Sequence, residues 1–371
     1  MSTPPSEYTL GPVIPQFQFS GDFSVAFPYG SGHINDTWRL LFHTASGSVH
    51  FILQRINQNI FKNPLALMEN IERVTAHLAA QLVDEPDLER RVLTLIPTRE
   101  GGLWYLDDEG TYWRAYRFIE RAHSYDAVES TEQAFQAARA FGRFQHLLIN
   151  LQAPRLHDTI PDFHDTPKRF TSLEQAITAD AANRAMLVKQ EIAFAFARQS
   201  MTGVLLNANL PERVTHNDTK INNVLLDDAT GEGVCVIDLD TVMPGLIHYD
   251  FGDIVRTATC HAAEDERDLS KVYLQFPMFE SLVRGYLSSA GCFLTGAEIQ
   301  HLAFCGKLIT FEMGIRFLTD YLAGDTYYKV HRDGHNLDRC RTQFKLIESI
   351  EQQEDAMDKL VRSIAGRDSA A

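Results

Sequence analysis

The chain has 371 residues, of which 44% are hydrophobic and 22% charged, enough apolar material for a substantial core and two packed lobes. Its 34 basic and 49 acidic residues give a formal charge of -15, which argues against a nucleic-acid surface or an anionic membrane as partner. The five cysteines, Cys235, Cys260, Cys292, Cys305 and Cys340, are odd in number and show no C-x-x-C spacing, so neither a disulfide framework nor a zinc site is indicated and a reducing cytoplasm is expected. Residues 1–30 carry acids and prolines instead of a basic stretch followed by an apolar core, and no apolar run reaches about 18 residues, so neither export nor membrane insertion is expected.

Residues 1–16, rich in Pro, Ser and Thr, read as a tail. The segment Pro28 to Asn35 is a glycine-bearing turn, and the backbone N–H groups around Gly30 and Gly32 are suited to covering phosphates. Residues 36–44 and 49–56 have strand composition and are joined by Ala45-Ser46-Gly47-Ser48, which predicts a hairpin. Arg55 then places a cation on the strand after the glycine turn, where its guanidinium is able to bind phosphate oxygens. A helix follows Asn63-Pro64 with the apolar stripe Leu67, Met68, Ile71, Val74 and Leu78, and Glu69, in preference to Glu72, is expected to pair with Arg55. Residues 111–119 read as the last strand of this sheet, with Glu120-Arg121-Ala122 as a hinge, so that adenine is expected near Phe118 and Glu120. From about residue 131 onward helical periodicity dominates, over 131–151, 170–200, 268–289, 296–320 and 337–363. These patterns predict an α+β fold with a nucleotide-binding lobe over residues 1–120 and a mainly helical lobe over residues 121–371 that carries the catalytic loop and the acceptor site.

The octet His216-Asn217-Asp218-Thr219-Lys220-Ile221-Asn222-Asn223 interrupts the helical region. Its H-x-D-x-x-x-x-N spacing offers Asp218 as acceptor of a hydroxyl proton and Asn223 as a magnesium ligand. Val224-Leu225-Leu226 and Val234-Cys235-Val236-Ile237 flank a turn-forming segment, and a hairpin there returns Asp238 to the side of Asn223. Two oxygen ligands then meet, as magnesium requires, with Asp240 as a possible second carboxylate ligand. His216 reads as a structural support for the loop. The triplet Asp250-Phe251-Gly252 spells the metal motif of protein kinases, but no hairpin separates it from Asn223 at the expected distance. Asp250 and Asp253 are therefore expected to cap a helix or organise a loop. For the acceptor, the span Arg316 to Tyr328 gathers Arg316, Asp320, Tyr327 and Tyr328, Thr241 follows the metal strand, and Phe163-His164-Asp165-Thr166 is another candidate wall.

The order of glycine turn, strand cation, helix carboxylate, hinge, octet, hairpin and Ile237-Asp238-Leu239-Asp240 resembles the aminoglycoside phosphotransferase and choline kinase group, whose fold is similar to that of protein kinases. The resemblance spans nearly the whole chain and implies a bilobal kinase fold using ATP and Mg2+; Arg55 stands where lysine is usual. Within that group, Leu53 to Asn57, Phe61 to Pro64, Leu67 to Asn70, the octet, Ile237 to Gly245 and Phe317 to Leu322 look most like N-acetylhexosamine 1-kinases. That likeness implies transfer of phosphate from ATP to the anomeric hydroxyl of N-acetylglucosamine or N-acetylgalactosamine, with Arg316 and Tyr327 as sugar contacts and Arg316 donating to the acetamido carbonyl. An anomeric hydroxyl is more acidic than other sugar hydroxyls because the ring oxygen withdraws electrons, so a carboxylate such as Asp218 suffices as base. The alternatives are a kinase of the same fold acting on an amino alcohol, an aminoglycoside or another sugar, and a non-catalytic nucleotide-binding regulator, against which the intact Asp218, Asn223 and Asp238 argue.

Overall fold

In the computed structural model, which describes residues 10–30 and 34–368, an antiparallel sheet of order β1-β2-β3-β5-β4 occupies the N-terminal part. Its strands are β1 (Asp22–Pro28), β2 (Asp36–Thr44), β3 (Gly47–Arg55), β4 (Tyr105–Leu106) and β5 (Tyr112–Arg117). The predicted hairpin is present, and Thr44 pairs with Gly47 across its tight turn. Side chains alternate between the two faces of each strand. Trp38, Leu40, Phe42, Phe51, Leu53, Trp113 and Ala115 line one face, and Val13, Ile14 and Phe17 cover it. Residues 10–16, expected as tail, are therefore part of the sheet's outer layer, because that face offers aromatic surface that must be shielded from water.

The opposite face, with Ile52 and Tyr116, packs on α1 (Pro64–Gln81). The side chain of Asn63 caps α1 by accepting from the Ala66 N–H at 3.2 Å, Pro64 fills the first turn, and the predicted stripe from Leu67 to Leu78 is buried. Leu239 and Val242 from beyond the catalytic hairpin join this cluster, so α1 and the sheet rest directly on the segment that follows Asp238.

After α2 (Leu88–Arg91) and the short β6 (Ala122–His123), the chain becomes helical: α3 (Thr131–Leu148), α4 (Thr166–Ala179), α5 (Lys189–Phe196) and α6 (Val204–Asn207). The helix expected over 170–200 breaks at Asp180. This residue is left-handed (φ 36°) and its carboxylate accepts the Arg184 and Ala185 N–H groups. A second small pair, β7 (Arg213–Thr215) with β10 (Met243–Gly245), flanks the predicted hairpin of β8 (Val224–Asp227) and β9 (Gly233–Val236). Helices α7 (Ile247–Ala258), α8 (Phe276–Ala290), α9 (Gly296–Gln300), α10 (Leu302–Ala323) and α11 (His335–Asp368) complete the body. The periodic stretch at 268–289 becomes helix only from Phe276, where Pro277 favours a helix start, and that at 296–320 splits at His301.

Helix α10 is buried nearly all round, as expected of a helix apolar on every side. It crosses α7 through two glycines. A Cβ on Gly252 would lie 2.5 Å from the Cys305 carbonyl oxygen, and one on Gly306 would lie 2.6 Å from Val255. This close approach fixes the height of α7, and with it Asp250, beneath the catalytic loop. No helix among the described residues is long and apolar enough to cross a membrane.

Candidate active site

The octet runs as a loop from β7 into a single 3-10 turn at Ile221–Asn223. Asp250, in the first turn of α7, organises it: its two carboxylate oxygens accept the backbone N–H groups of His216 (2.9 Å) and Asn217 (2.6 Å), and its own carbonyl accepts the Thr219 hydroxyl at 2.5 Å. Gln145 of α3 donates to the same carboxylate at 2.6 Å, and Tyr286 of α8 donates in turn to Gln145 at 2.5 Å. Burial raises the pKa of Asp250, while His216 and these donors oppose the shift. His216 is itself buried, with its ring beside Phe141 and Phe144. Its Nε2–H donates to the Ile237 carbonyl at 2.9 Å and its Nδ1 accepts the Asp218 N–H at 3.3 Å, which joins loop to hairpin.

Asp218 is half-buried in the cleft. Desolvation raises its pKa, but the Lys220 ammonium 2.9 Å away outweighs this, and the carboxyl is held below its ordinary range. Asn223 donates its amide hydrogens to the Asp218 carbonyl (2.7 Å) and carboxylate (3.1 Å). Its Oδ1 takes no part in these two bonds and is the atom that could hold a cation. The Asn223 carbonyl accepts the Ile237 N–H at 2.9 Å, so the hairpin brings the following Asp238 to this end of the cleft. Asp238 is left-handed (φ 57°) and open to solvent on one side. Desolvation by the cleft walls, then repulsion from Asp240 and Asp218, push it up to about 7. An oxygen-only donor set with crowded negative charge fits a hard divalent cation. It is not a protein-only cage, since no group of three or more His, Cys, Asp or Glu converges among the described residues. A nucleotide-borne magnesium takes its remaining ligands from phosphate and water.

Asp240 departs from the expectation of a second metal ligand. Only 2% exposed, it is bound through Oδ1 to Arg114 of β5 and through Oδ2 to Asn35, each at 2.5 Å. Both oxygens are already committed across the lobes. Arg55 also departs: it pairs with Asp36, its cross-strand neighbour on β2, while Glu69 meets His157 at 2.9 Å and Arg73 at 3.9 Å. The reason is strand alternation. Arg55 shares the face of Leu53 and Trp38, whereas α1 lies on the face of Ile52, Gln54 and Arg114. Arg114 and Lys220 are therefore the cations that the sequence reading missed. The available signal for Arg114 was a charged residue amid Tyr112-Trp113 and Ala115-Tyr116 in a buried strand.

At the hinge, Phe118 meets Tyr29 edge-on at 5.6 Å, and Arg39 lies over both rings. The Glu120 side chain bonds His50 at 2.7 Å, and the Glu120 and Arg121 carbonyls accept from Arg90. Gly30 has the left-handed φ of 83° that suits it to a turn, whereas Gly32 lies outside the described residues.

Residues 26–278 match the family described as the phosphotransferase enzyme family. The chain belongs to that family. Its fold is that of protein kinases and of solved phosphotransferases. A microcompartment-associated aminopropanol kinase shares 16% identity at a TM-score of 0.58, with 94% of this chain and 97% of that one covered. An aminoglycoside phosphotransferase from Alicyclobacillus acidocaldarius is 10% identical at 0.62, with 95% of each chain covered. A spectinomycin phosphotransferase, solved with ADP and spectinomycin, is 13% identical at 0.55, with 91% and 95% covered.

On the far side of this phosphotransferase's catalytic loop, His164 is held between Glu312 (2.8 Å) and the Asn217 carbonyl (3.2 Å). One helical turn beyond Glu312 stands Arg316, with its guanidinium 5.3 Å from the Phe163 ring and 5.9 Å from that of Tyr328. Arg169, which donates to the Phe163 carbonyl, is close enough to Arg316 that burial and then this second cation lower its pKa. Tyr327 is 57% exposed beside them. Asp320 builds its loop by accepting the Thr326, Tyr327 and Tyr328 N–H groups together with the Asn336 amide. The structure thus brings Arg316, Tyr327, Tyr328 and the Phe163 wall together. Thr241 it does not: this residue is 5% exposed, its hydroxyl is buried without a hydrogen-bond partner among the described residues, and its carbonyl serves Asn217.

Proposed function

We propose that this phosphotransferase transfers the γ-phosphoryl group of ATP to the anomeric hydroxyl of an N-acetylhexosamine such as N-acetylglucosamine or N-acetylgalactosamine. The observation that carries the reading is the charge of the acceptor side, where two guanidiniums, Arg316 and Arg169, stand among Phe163, Tyr327 and Tyr328. The Glu312 carboxylate behind them is already spent on His164 and Thr166. Such a surface repels the ammonium groups of an amino alcohol or an aminoglycoside and suits a neutral ligand that offers an amide carbonyl and hydroxyls. The sequence phrases that resemble those of N-acetylhexosamine 1-kinases point the same way.

In this reading Asp218, ionised throughout the neutral range, accepts the anomeric proton as the hydroxyl attacks, and Lys220 holds the carboxylate in place until the proton arrives. Asn223 and Asp238 would hold a magnesium ion, which when bound neutralises charge on the transferred phosphoryl. His216 and Asp250 keep the loop from relaxing, and Phe118 and Glu120 line the adenine end of the cleft. Arg316 is placed to orient the acetamido group, with Tyr327 beside it.

The test is ATP consumption by the purified chain with N-acetylglucosamine, N-acetylgalactosamine, their non-acetylated parents, amino alcohols and aminoglycosides. Turnover led by the acetylated sugars supports the reading, and turnover led by an amine overturns it. Turnover with none of them would favour a nucleotide-binding regulator.

A further inference from the structure

The buried cation of the nucleotide lobe is Arg114, and its surroundings give it a task. On β5 it lies opposite Gln54, so both side chains emerge on the α1 side of the sheet. Its Nε donates to Gln54 Oε1 at 3.0 Å, Gln54 donates onward to the Thr37 hydroxyl at 3.0 Å, and the guanidinium lies over the Tyr116 ring. Thus oriented, it meets the Asp240 carboxylate, and the two side chains are 1% and 3% exposed. The other oxygen of Asp240 accepts from Asn35, whose own Oδ1 accepts the Asn57 N–H at 3.0 Å. A third residue of the same lobe, Asn70 of α1, donates to the Val242 carbonyl at 3.1 Å. The segment 239–242 that follows the metal carboxylate Asp238 is therefore gripped from β5, from α1 and from the residue just before β2.

We propose that Arg114 and Asn35 are positioning residues for the metal site: by clamping Asp240 across the lobes they fix the left-handed Asp238 and set its distance from Asn223. In protein kinases the phosphate-binding lysine stands on the third strand; in this chain the buried cation Arg114 stands on the fifth. It acts on the carboxylate segment, because at 1% exposure it has no open face for a phosphate. A buried carboxylate requires a matched partner, and among the described residues the Asp240 side-chain oxygens find theirs in Arg114 and Asn35 of the opposite lobe. The grip on Asp240 thereby ties the segment after Asp238 to the sheet and to α1.

The experiment uses the full chain and needs no acceptor, so its outcome is independent of the sugar assignment. ADP binding is measured by calorimetry with magnesium and again with EDTA, for wild type, Asn35→Ala, Asn35→Asp, Arg114→Lys and the pair Asn35→Asp with Asp240→Asn. Loss of an outer partner of a metal site weakens metal-dependent binding by about 10–100-fold. That loss is expected for Asn35→Ala and Asn35→Asp with magnesium, and the EDTA values should stay close to wild type. The paired variant exchanges donor and acceptor while keeping the net charge of the triad, and it should recover most of the magnesium-dependent affinity. The proposal is overturned if Asn35→Ala binds magnesium ADP as wild type does, if both conditions weaken equally, or if the paired variant binds no better than Asn35→Asp alone. Should Arg114→Lys fail to fold, the Asn35 series decides the matter.

Discussion

Glu312 and His164 form a buried pair 2.8 Å apart, and the second ring nitrogen faces the Asn217 carbonyl, so both nitrogens meet acceptors, an arrangement that favours the imidazolium. Burial alone would lower the His164 pKa, and Glu312 raises it instead; Glu312 is lowered in return despite its own burial. The pair joins the acceptor-side helix to the catalytic loop. Removing one partner strands the other, so Glu312→Gln should cost about 3–5 kcal/mol in urea unfolding at pH 7. The His164 contribution is complete below its ordinary 6.5 and fades as pH rises through the raised value, and the Glu312 contribution is complete above 4.5 and fades as pH falls through the lowered one. The excess stability of wild type over Glu312→Gln should therefore be greatest between about pH 4.5 and 6.5 and shrink as pH moves out of that window on either side, and equal stability at pH 6 would sink the idea.

Asp218→Asn should lower kcat by about 10²–10⁴-fold, the usual worth of a positioned base. Nucleotide affinity should be retained, since the amide keeps the bond to Asn223 and loses only the Lys220 ion pair. Undiminished kcat with the active acceptor would remove Asp218 from the role of base.

Asp238 carries a penalty that is testable in the free protein. Its pKa is raised to about 7, so between the unfolded value near 3.9 and 7 the folded state holds the extra proton and stability falls as pH rises. Asp238→Asn abolishes the ionisation and should melt higher than wild type at pH 8, with a smaller gain at pH 5. A variant that melts lower at pH 8 would contradict the crowding of Asp218, Asp238 and Asp240.

Asp250→Asn replaces an acceptor of two backbone N–H groups and of the Gln145 amide with a side chain that must turn a donor toward one of them. The buried mismatch should cost about 1–3 kcal/mol. The lost loop geometry should lower kcat more than it raises the KM for ATP. Unchanged kinetics would mean that the loop holds its shape without this anchor.

Arg55→Met offers the contrast. Its pair with Asp36 is partly exposed and lies on the outer sheet face, so the change should alter stability by no more than about 1 kcal/mol and leave the KM for ATP close to wild type. A large rise in that KM would return Arg55 to the nucleotide site.

The order of elements was readable because each left a local mark: the Thr44 to Gly47 turn, the Asn63-Pro64 cap, the stripe of α1 and the octet with its hairpin. What was not readable depends on pairing across distance. The alternation of β3 puts Gln54 and Arg55 on opposite faces, but both faces are covered, one by α1 and the other by Val13, Ile14 and Phe17, so apolar spacing alone did not say which side held the cleft. Asp240 looked like a free ligand because Arg114 and Asn35 lie far away in sequence. Thr241 looked open to an acceptor because nothing local reveals that its hydroxyl faces inward.

Only a short stretch separates Asp238 from Asp250, and Leu239 to Met243 and Ile247 to Asp250 are buried within it. In protein kinases the stretch beyond the metal carboxylate includes the loop whose phosphorylation switches activity. Here the same stretch is consumed by β10 and the first turn of α7, and its last residue is the anchor of the catalytic loop. Most of this connection is packed into the body of the molecule and not displayed as a free loop. The segment beyond Asp238 and the anchor of the octet loop are thus parts of one folded unit.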